Sequence, residues 1–213
     1  MPRKGTPEPR VRYDIDSLAD IALEVFRERG YEATSMEHLA AAAQVSKAAF
    51  YHHMNGKEDL LARGLDRALD ALFAVLEEPL AITGDAIARL RHVLRRMVEL
   101  EDQLLAEVTV LLRTRGNSPT ERNALERRRT FDRRVAAIIA AAQREGSVRT
   151  DIDPHLAARL AIGTATSIVE WYKPGGTLSA AYLADQIVAM TCSGLIRVSP
   201  SLVAPPRPAA RKR

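Results

Sequence analysis

The feature that most constrains the fold is a succession of apolar stripes at helical spacing, each bounded by start and stop signals. The first stripe places Leu18, Ala22 and Phe26 four residues apart, and Gly30 follows it as a helix terminator. The clearest start signal is Ser118-Pro119-Thr120-Glu121, with an N-cap serine, a proline in the first turn and a glutamate three residues on. The pattern predicts an all-α protein of about nine helices.

Composition excludes several other classes of protein. Hydrophobic residues make up 46%, charged residues 27% and aromatic residues only 5% of the 213 residues, as in a globular helical chain rather than a disordered one. No run of about 18 apolar residues is present, so no membrane span is predicted, and the N-terminus does not look like a secretory signal. The chain has one cysteine, Cys192, which favours a reducing, cytoplasmic compartment.

Charge is distributed along the chain in blocks. The 31 basic and 27 acidic residues give a net charge of +4. Residues 1–13 are predicted to be a disordered basic arm and residues 200–213 a disordered basic tail. Residues 38–57 contain Lys47 and Lys57 but no acid. These basic segments are suited to a polyanion, although charge alone does not establish nucleic-acid binding.

Two short predicted helices between Thr34 and His53 carry the functional motif. A capping-box pattern of Thr34 and Glu37 starts the first helix, Gln44-Val45-Ser46 forms a turn, and Ser46 caps the second helix. Apolar residues are spaced to bury the back of this unit: Leu39, Ala43, Val45 and Phe50. Outward-facing positions of the second helix are Ser46, Lys47, Ala48, Ala49, Tyr51, His52 and His53.

An exposed second helix held from behind is the geometry of a helix-turn-helix, which places that helix in the major groove of DNA. The amides at the helix starts, at Ser35 and Ser46, suit phosphate oxygens, and Lys57 adds a positive charge at the start of the following helix. From the pattern alone, a plain helical hairpin with solvated polar residues remains the alternative.

Residues 18–62 resemble the N-terminal DNA-binding domain of the TetR/AcrR family of bacterial transcriptional regulators. The matching residues, in order and without a gap, are Ala22, Phe26, Gly30-Tyr31, Ala33-Thr34-Ser35, Leu39-Ala40, Ala43, Val45-Ser46, Phe50-Tyr51, Lys57-Glu58 and Leu60. The chain departs from the family pattern at Gln44, where the family usually has glycine, at Ala48 and Ala49, and at Met54. A positive φ at Gln44 implies strain of order 1 kcal/mol.

The resemblance implies a homodimeric regulator in which each subunit offers its second short helix to half of a palindromic operator. It implies a three-helix DNA-binding domain over residues 14–57 and a ligand-binding and dimerisation domain over residues 58–199. By position, it makes Thr34, Tyr51 and Lys57 phosphate contacts. Groove-facing positions are then Lys47, Ala48 and His52, while His53 fits either class.

The resemblance also implies that the last two long helices, predicted near residues 154–172 and 179–197, form a four-helix bundle with those of a second subunit. The implied interface residues are Leu160, Gly163, Thr164, Ile168, Leu183, Ile187, Met190 and Gly194. Taken without the family, such a stripe is more often ordinary core.

An effector pocket is implied in the second domain. Its candidate lining residues are Leu104, Val108, Leu111, Leu112, Phe131, Val135, Ile138 and Trp171, each of which is equally suited to ordinary core. Residues 170–179 resemble a stretch of TetR-type regulators of fatty-acid and steroid degradation, whose members respond to acyl-CoA thioesters. The implied effector is therefore small and largely apolar, with an acyl-CoA thioester as the specific hypothesis.

The sequence offers no assembled catalytic or metal-binding set. Neither a His-Glu-x-x-His motif nor a phosphate-binding Gly-Lys-Ser/Thr loop is present, so we expect no enzyme, no metal and no cofactor. The function indicated is a ligand-responsive DNA-binding transcriptional regulator, of the repressor type. The alternative is a helical ligand-binding or scaffold protein without specific DNA binding.

Overall fold

The computed structural model describes residues 15–53 and 56–195, without the side chains of Ala49, His52 and His53. The predicted basic arm and tail lie outside these residues. The described chain forms ten α-helices and no β-strand. They are α1 (Ile15–Arg29), α2 (Met36–Ala42), α3 (Lys47–His53), α4 (Lys57–Val75), α5 (Pro79–Ile82), α6 (Ala86–Gln103), α7 (Leu105–Arg113), α8 (Pro119–Arg144), α9 (Pro154–Thr166) and α10 (Ala180–Leu195). Since α5 is a single turn, the prediction of an all-α protein with about nine helices is confirmed.

The described residues divide into two compact units. The first unit contains the chain up to Phe73 together with Leu100–Arg129, and the second contains Ala74–Glu99 and the residues from Thr130 onward. The domain boundary expected near residue 57 follows family resemblance rather than packing, and it stays a prediction.

In the first unit, α1 packs against α2 and α7, and α2 packs against α3. The core face of α1 is the predicted stripe, because Leu18, Ala22 and Phe26 are all buried. Gly64 on α4 meets this face so closely that a Cβ atom there would lie 2.2 Å from Cδ2 of Leu23. A glycine inside α4 therefore lets α1 and α4 pack closely together.

Helix ends follow the sequence signals with one correction. Gly30 ends α1 in the left-handed region, and Ser118 caps α8 by accepting from the amide of Glu121 at 3.2 Å, as predicted. The capping box predicted for Thr34 and Glu37 is wrong by one residue. Ser35 is the N-cap of α2, and its partner is His38, at 3.3 Å in both directions. The Thr34 hydroxyl is not the cap because it donates to the Gly30 carbonyl.

In the second unit, α9 packs against α10. Asp153 caps α9 through the Leu156 amide at 3.0 Å, but α9 ends at Thr166 rather than near Tyr172 and is followed by a 3₁₀ helix, Ser167–Glu170. The hydroxyls of Thr166 and Ser167 bond to carbonyls of the preceding turn, and such bonds compete with regular helix. Over the described ranges, no helix is long and apolar enough to cross a membrane.

Candidate nucleic-acid interface

The α2–α3 turn has the geometry of a helix-turn-helix. Gln44 adopts φ 54°, the positive value that the family resemblance implied. The Val45 amide donates to the Ala40 carbonyl at 3.0 Å, and the Gln44 amide donates to the Ala41 carbonyl at 3.1 Å. These two bonds close a helix through a left-handed residue, a position at which glycine is usual. Gln44 therefore carries strain of about 1 kcal/mol.

The two faces of α3 differ as predicted. Phe50 is fully buried, together with Leu39 and Ala43 from α2 and the turn, whereas Val45 is half-buried. Lys47 and Ala48 are exposed, with Ser46 before them, and 49% of Tyr51 is exposed. The side chains of Ala49, His52 and His53, also predicted to face DNA, lie outside the described residues. The helix is thus held from behind and leaves its front open.

Lys47 has an acidic partner that sequence reasoning missed. Its ammonium forms a salt bridge with the carboxylate of Glu37, on the first turn of α2. The hydrogen bond from Lys47, with further bonds from backbone and from Ser35, lowers the pKa of Glu37 to about 2. The exposed Lys47 ammonium is therefore paired with the Glu37 carboxylate in the free protein. The spacing of ten residues across a turn gave no signal for this pair.

Thr34 and Lys57, both predicted phosphate contacts, form an internal network behind the motif. The Lys57 ammonium donates to the carbonyls of Tyr31 and Thr34, each at 3.1 Å, and lies 4.4 Å from the centre of the Tyr31 ring. The Thr34 side chain is buried and donates to the Gly30 carbonyl at 2.8 Å. Thr34 is therefore corrected from a phosphate contact to a loop-closing residue, because its hydroxyl is not accessible. Lys57 has a structural role in this network, and its phosphate contact stays a prediction.

Tyr31 completes this network from the α1–α2 loop. Its ring packs edge-on against Phe26, with centroids 5.1 Å apart. Burial, and then the negative charges of Glu58, Glu32 and Glu121, raise the pKa of Tyr31 to about 12. The ring therefore stays a neutral phenol that offers its face to the Lys57 ammonium.

The loop between α7 and α8 is tied to the helix-turn-helix within the first unit. The Arg113 guanidinium donates to the Arg27 carbonyl at 2.7 Å, and the Asn117 amide donates to Glu32 at 3.3 Å. The loop itself is organised by Glu121, whose carboxylate accepts from three successive backbone amides, at residues 115–117. The segment from Arg113 to Asn117 is therefore linked to the last turn of α1 and to the α1–α2 loop by one hydrogen bond each.

The predicted effector-lining residues fall into both units. In the first unit, Val108 and Leu111 are buried, whereas Leu104 and Leu112 are half-buried. In the second unit, Phe131, Val135 and Ile138 are buried. Trp171 is 53% exposed, so the prediction that it lines an enclosed pocket disagrees with its position at the end of the 3₁₀ helix.

Sequence reasoning missed the buried acids near the α6–α7 junction. Glu107 on α7 is paired with the guanidinium of Arg67 at 3.0 Å, and Arg67 also contacts Asp20 at 2.5 Å. Glu101 on α6 is only 2% exposed, and neither of its carboxyl oxygens has a hydrogen-bond partner in the described part of the chain. Burial raises the pKa of Glu101 to about 8. These acids were missed because the sequence pattern of an amphipathic helix does not distinguish a buried acid from a solvent-exposed one.

The predicted dimer stripe separates into two sets. Leu160 and Met190 are 57% and 71% exposed, and Gly163 and Gly194 are exposed with open space where a Cβ would lie. Thr164 is half-buried. The other three are corrected from interface to core, because they are buried inside the protomer: Ile168, Leu183 and Ile187. Two exposed apolar residues that the prediction missed, Leu156 and Tyr182, lie on the same two helices.

Comparison with known families decides the identity of the helix-turn-helix. Residues 18–63 match the family described as bacterial regulatory proteins, tetR family, and residues 83–195 match the tetracyclin repressor-like C-terminal domain. The second match alone covers more than half of the chain. The chain belongs to the TetR family. The predicted family, and the DNA-binding transcriptional regulator that it implies, are therefore confirmed for this TetR-family chain.

Four relatives illustrate the similarity. The HTH-type transcriptional repressor KstR2 of Rhodococcus jostii RHA1 is 32% identical over 84% of this chain and 89% of its own length. The structure of the ketosteroid transcriptional regulator KstR2 of Mycobacterium tuberculosis aligns with a TM-score of 0.80 at 26% identity, over 89% of this chain and 98% of that one.

SCO3833, a TetR regulator from Streptomyces coelicolor A3, has 48% identity and a TM-score of 0.78 over 92% of this chain and 96% of its own. AibR, in complex with isovaleryl coenzyme A and operator DNA, has 27% identity and a TM-score of 0.73 over 83% and 96%.

Proposed function

We propose that this TetR-family chain is a ligand-responsive repressor that binds a palindromic operator as a homodimer through the exposed face of α3. The observation that carries the proposal is the polarity of α3, which buries Phe50 and exposes Lys47, Ala48 and Tyr51. A helix with this polarity, fixed from behind by α2, fits the major groove. A regulator with this architecture needs no catalytic step, so we propose that the chain is not an enzyme.

Each exposed residue has a role suited to its chemistry. Lys47 donates to acceptor atoms on a guanine edge, and its reach is limited by the Glu37 carboxylate that holds it in the free protein. The Ala48 methyl packs on a thymine methyl, and the Tyr51 hydroxyl donates to a phosphate oxygen. Ser35 and Ser46 lie at the starts of α2 and α3, where the remaining unpaired helix-start amides suit phosphate oxygens.

A second copy of the chain covers the apolar surface of α9 and α10. Leu156, Leu160 and Gly163 lie at i, i+4 and i+7 and therefore share one face of α9, while Met190 is exposed on α10. Exposed glycines let two helices approach closely. Dimerisation also gives the operator its two-fold symmetry, since each protomer supplies one α3 to one half-site.

The dimer is tested by light scattering of charged variants. Leu160→Glu and Met190→Glu each place a carboxylate in the proposed interface, so we expect monomers at micromolar concentration. Leu80→Glu is the matched control, because Leu80 is an exposed leucine on α5 and is not part of the proposed interface. Dimers that persist in both interface variants would refute the proposed surface.

The proposed effector is an acyl-CoA thioester. The similarity to AibR, whose complex contains isovaleryl coenzyme A, supports this class. The similarity to KstR2, a ketosteroid regulator, supports an effector with a large apolar part. The regulator works on chromosomal DNA, so we place it in the cytoplasm, where its buried Cys192 stays reduced.

Release of the operator is a shift between two conformations. The effector lowers operator affinity only by the ratio of its affinities for the two conformations, and a shift from 1:99 to 99:1 needs a ratio of about 10⁴. In the first unit, the contacts of Arg113 and Asn117 give α7 a route to the α1–α2 loop. Helix α4 gives a second route, since it begins directly behind the motif and ends in the second unit.

Selection of genomic fragments by the purified full-length protein tests the proposal. We expect enrichment of a fragment with an inverted repeat, retarded by wild-type protein and released by one or more acyl-CoA thioesters but not by coenzyme A alone. Failure to enrich any fragment would overturn operator binding. Enrichment without release by any thioester would overturn the effector class alone.

A further inference from the structure

The buried carboxyl of Glu101 is not explained by the packing of the first unit. Both of its oxygens are shielded from solvent and lack a hydrogen-bond partner among the residues that the structure describes. A buried polar group without a partner destabilises a fold, and the large majority of such groups in proteins are paired. The nearby acid Glu107 follows the usual pattern, because it is paired with Arg67. An unpaired acid in a core is explained if a bound ligand supplies its hydrogen-bond partner.

Glu101 lies just before the segment whose residues were predicted to line the effector pocket. It lies in the last turn of α6, two residues before this helix ends at Gln103. The next residue, Leu104, interrupts the helix with φ −128° and ψ 41°. Helix α7 then continues with Ala106–Leu111, all of which are buried. A helix buried on every side, entered through a break, belongs to the interior of its domain. Leu104, Val108 and Leu111, predicted to line the effector pocket, follow within ten residues.

The chemistry of Glu101 selects the type of group that can bind to it. Burial raises the pKa of Glu101 to about 8, so near neutral pH the group is mainly the neutral acid, with one O–H donor and one carbonyl acceptor. A neutral acid pairs with a ketone, thioester or hydroxyl oxygen and has no charge with which to bind an ion. Arg67 is engaged by Asp20 and Glu107 rather than by Glu101.

We propose that Glu101 is the polar anchor of the effector site and that it hydrogen-bonds a carbonyl or hydroxyl oxygen in the acyl part of the effector. The inference rests on the proposed function, since it assumes an effector of the acyl-CoA class, and it adds the residue that recognises the acyl part. A site whose buried donor and acceptor are satisfied only by the ligand discriminates against ligands that lack the oxygen.

Binding measurements on three variants test the anchor. Isothermal titration with a panel of saturated, 3-hydroxy and 3-keto acyl-CoA thioesters of four and eight carbons identifies a thioester that binds wild-type protein. For that thioester, we expect Glu101→Leu to weaken binding about tenfold, as for loss of one buried hydrogen bond. Glu101→Gln keeps a donor and an acceptor, so we expect its affinity within threefold of wild type. Asp102→Leu, at an exposed acid on the same helix, is the control and should bind normally.

A second readout separates an anchor from a structural residue. Without effector, Glu101→Leu should unfold at a higher temperature than wild type and retard the operator equally well, yet release it only at about tenfold higher thioester concentration. Retained thioester affinity in Glu101→Leu, or equal losses in the leucine and glutamine variants, would overturn the anchor while leaving the effector class intact. Absence of thioester binding by wild-type protein would overturn the effector class and this inference with it.

Discussion

Replacing Lys57 by methionine tests the network behind the helix-turn-helix. Methionine keeps the length and apolar character of the side chain but removes the ammonium, which bonds to two carbonyls and lies over the Tyr31 ring. Each bond contributes about 1 kcal/mol, since the site is half-buried and the carbonyls can regain water, and the ring contact adds about 0.5–1 kcal/mol. The expected loss of unfolding free energy is therefore about 2–3 kcal/mol.

Thermal unfolding followed by circular dichroism measures this loss. For a chain of this size, 2–3 kcal/mol corresponds to a fall in Tm of about 4–12 °C. Lys173→Met is the matched control, because Lys173 is exposed on a loop of the second unit, and its Tm should be unchanged. A loss below about 0.5 kcal/mol for Lys57→Met would refute the reasoning. The same variant tests the predicted phosphate contact, which would lower the slope of log K against log salt by about 0.9.

The remaining predictions concern backbone, packing and protonation. Gln44→Gly should raise Tm, because glycine relieves about 1 kcal/mol of left-handed strain, and a lower Tm would contradict the assigned turn. Gly64→Ala should lower the unfolding free energy by about 1–2 kcal/mol, because its Cβ collides with the buried Leu23. The check is a double-mutant cycle, in which Leu23→Ala should cost less stability in the Gly64→Ala background than in wild type. Glu101 binds a proton in the folded state up to about pH 8 but releases it in the unfolded state near pH 4.5, so wild-type stability should fall relative to Glu101→Gln between those pH values. The slope approaches about 1.4 kcal/mol per pH unit in urea titrations, and parallel pH profiles would show that Glu101 does not titrate as described.

Periodicity was sufficient to predict the parts of the motif that depend on local sequence. Leu39, Ala43 and Phe50 could be assigned to the buried back because apolar residues at helical spacing have no other stable place. The start of α8 followed from the capping chemistry of Ser118 and Glu121, which requires only four residues. The positive φ of Gln44 came from family resemblance, since glutamine itself gives no such signal.

Contacts between distant residues could not be predicted in this way. Lys57 donates to carbonyls 23 and 26 residues before it in the chain. From sequence alone, a lysine at a helix start is equally well explained as a phosphate contact. Thr34 and Ser35 are adjacent hydroxyl residues that both can cap a helix, and the bond from Thr34 to Gly30 decides between them.

The stripe on α9 and α10 illustrates another limit. Spacing marks Leu160 and Met190 as apolar in the same way as Ile168 and Leu183. Spacing does not show which apolar residues the same chain buries. Ile168 and Leu183 are buried within the protomer, whereas Leu160 and Met190 are exposed and open to a second chain.

The central claim, that the exposed face of α3 reads DNA sequence, is tested most directly by one ratio. The ratio is the Kd for a scrambled duplex divided by the Kd for the selected operator, measured by fluorescence anisotropy at fixed salt. We predict that Lys47→Ala lowers this ratio at least fivefold, as expected for about 1–3 kcal/mol of base discrimination, whereas Lys173→Ala leaves it unchanged. An unchanged ratio for Lys47→Ala, or equal affinity of wild-type protein for both duplexes, would contradict the account.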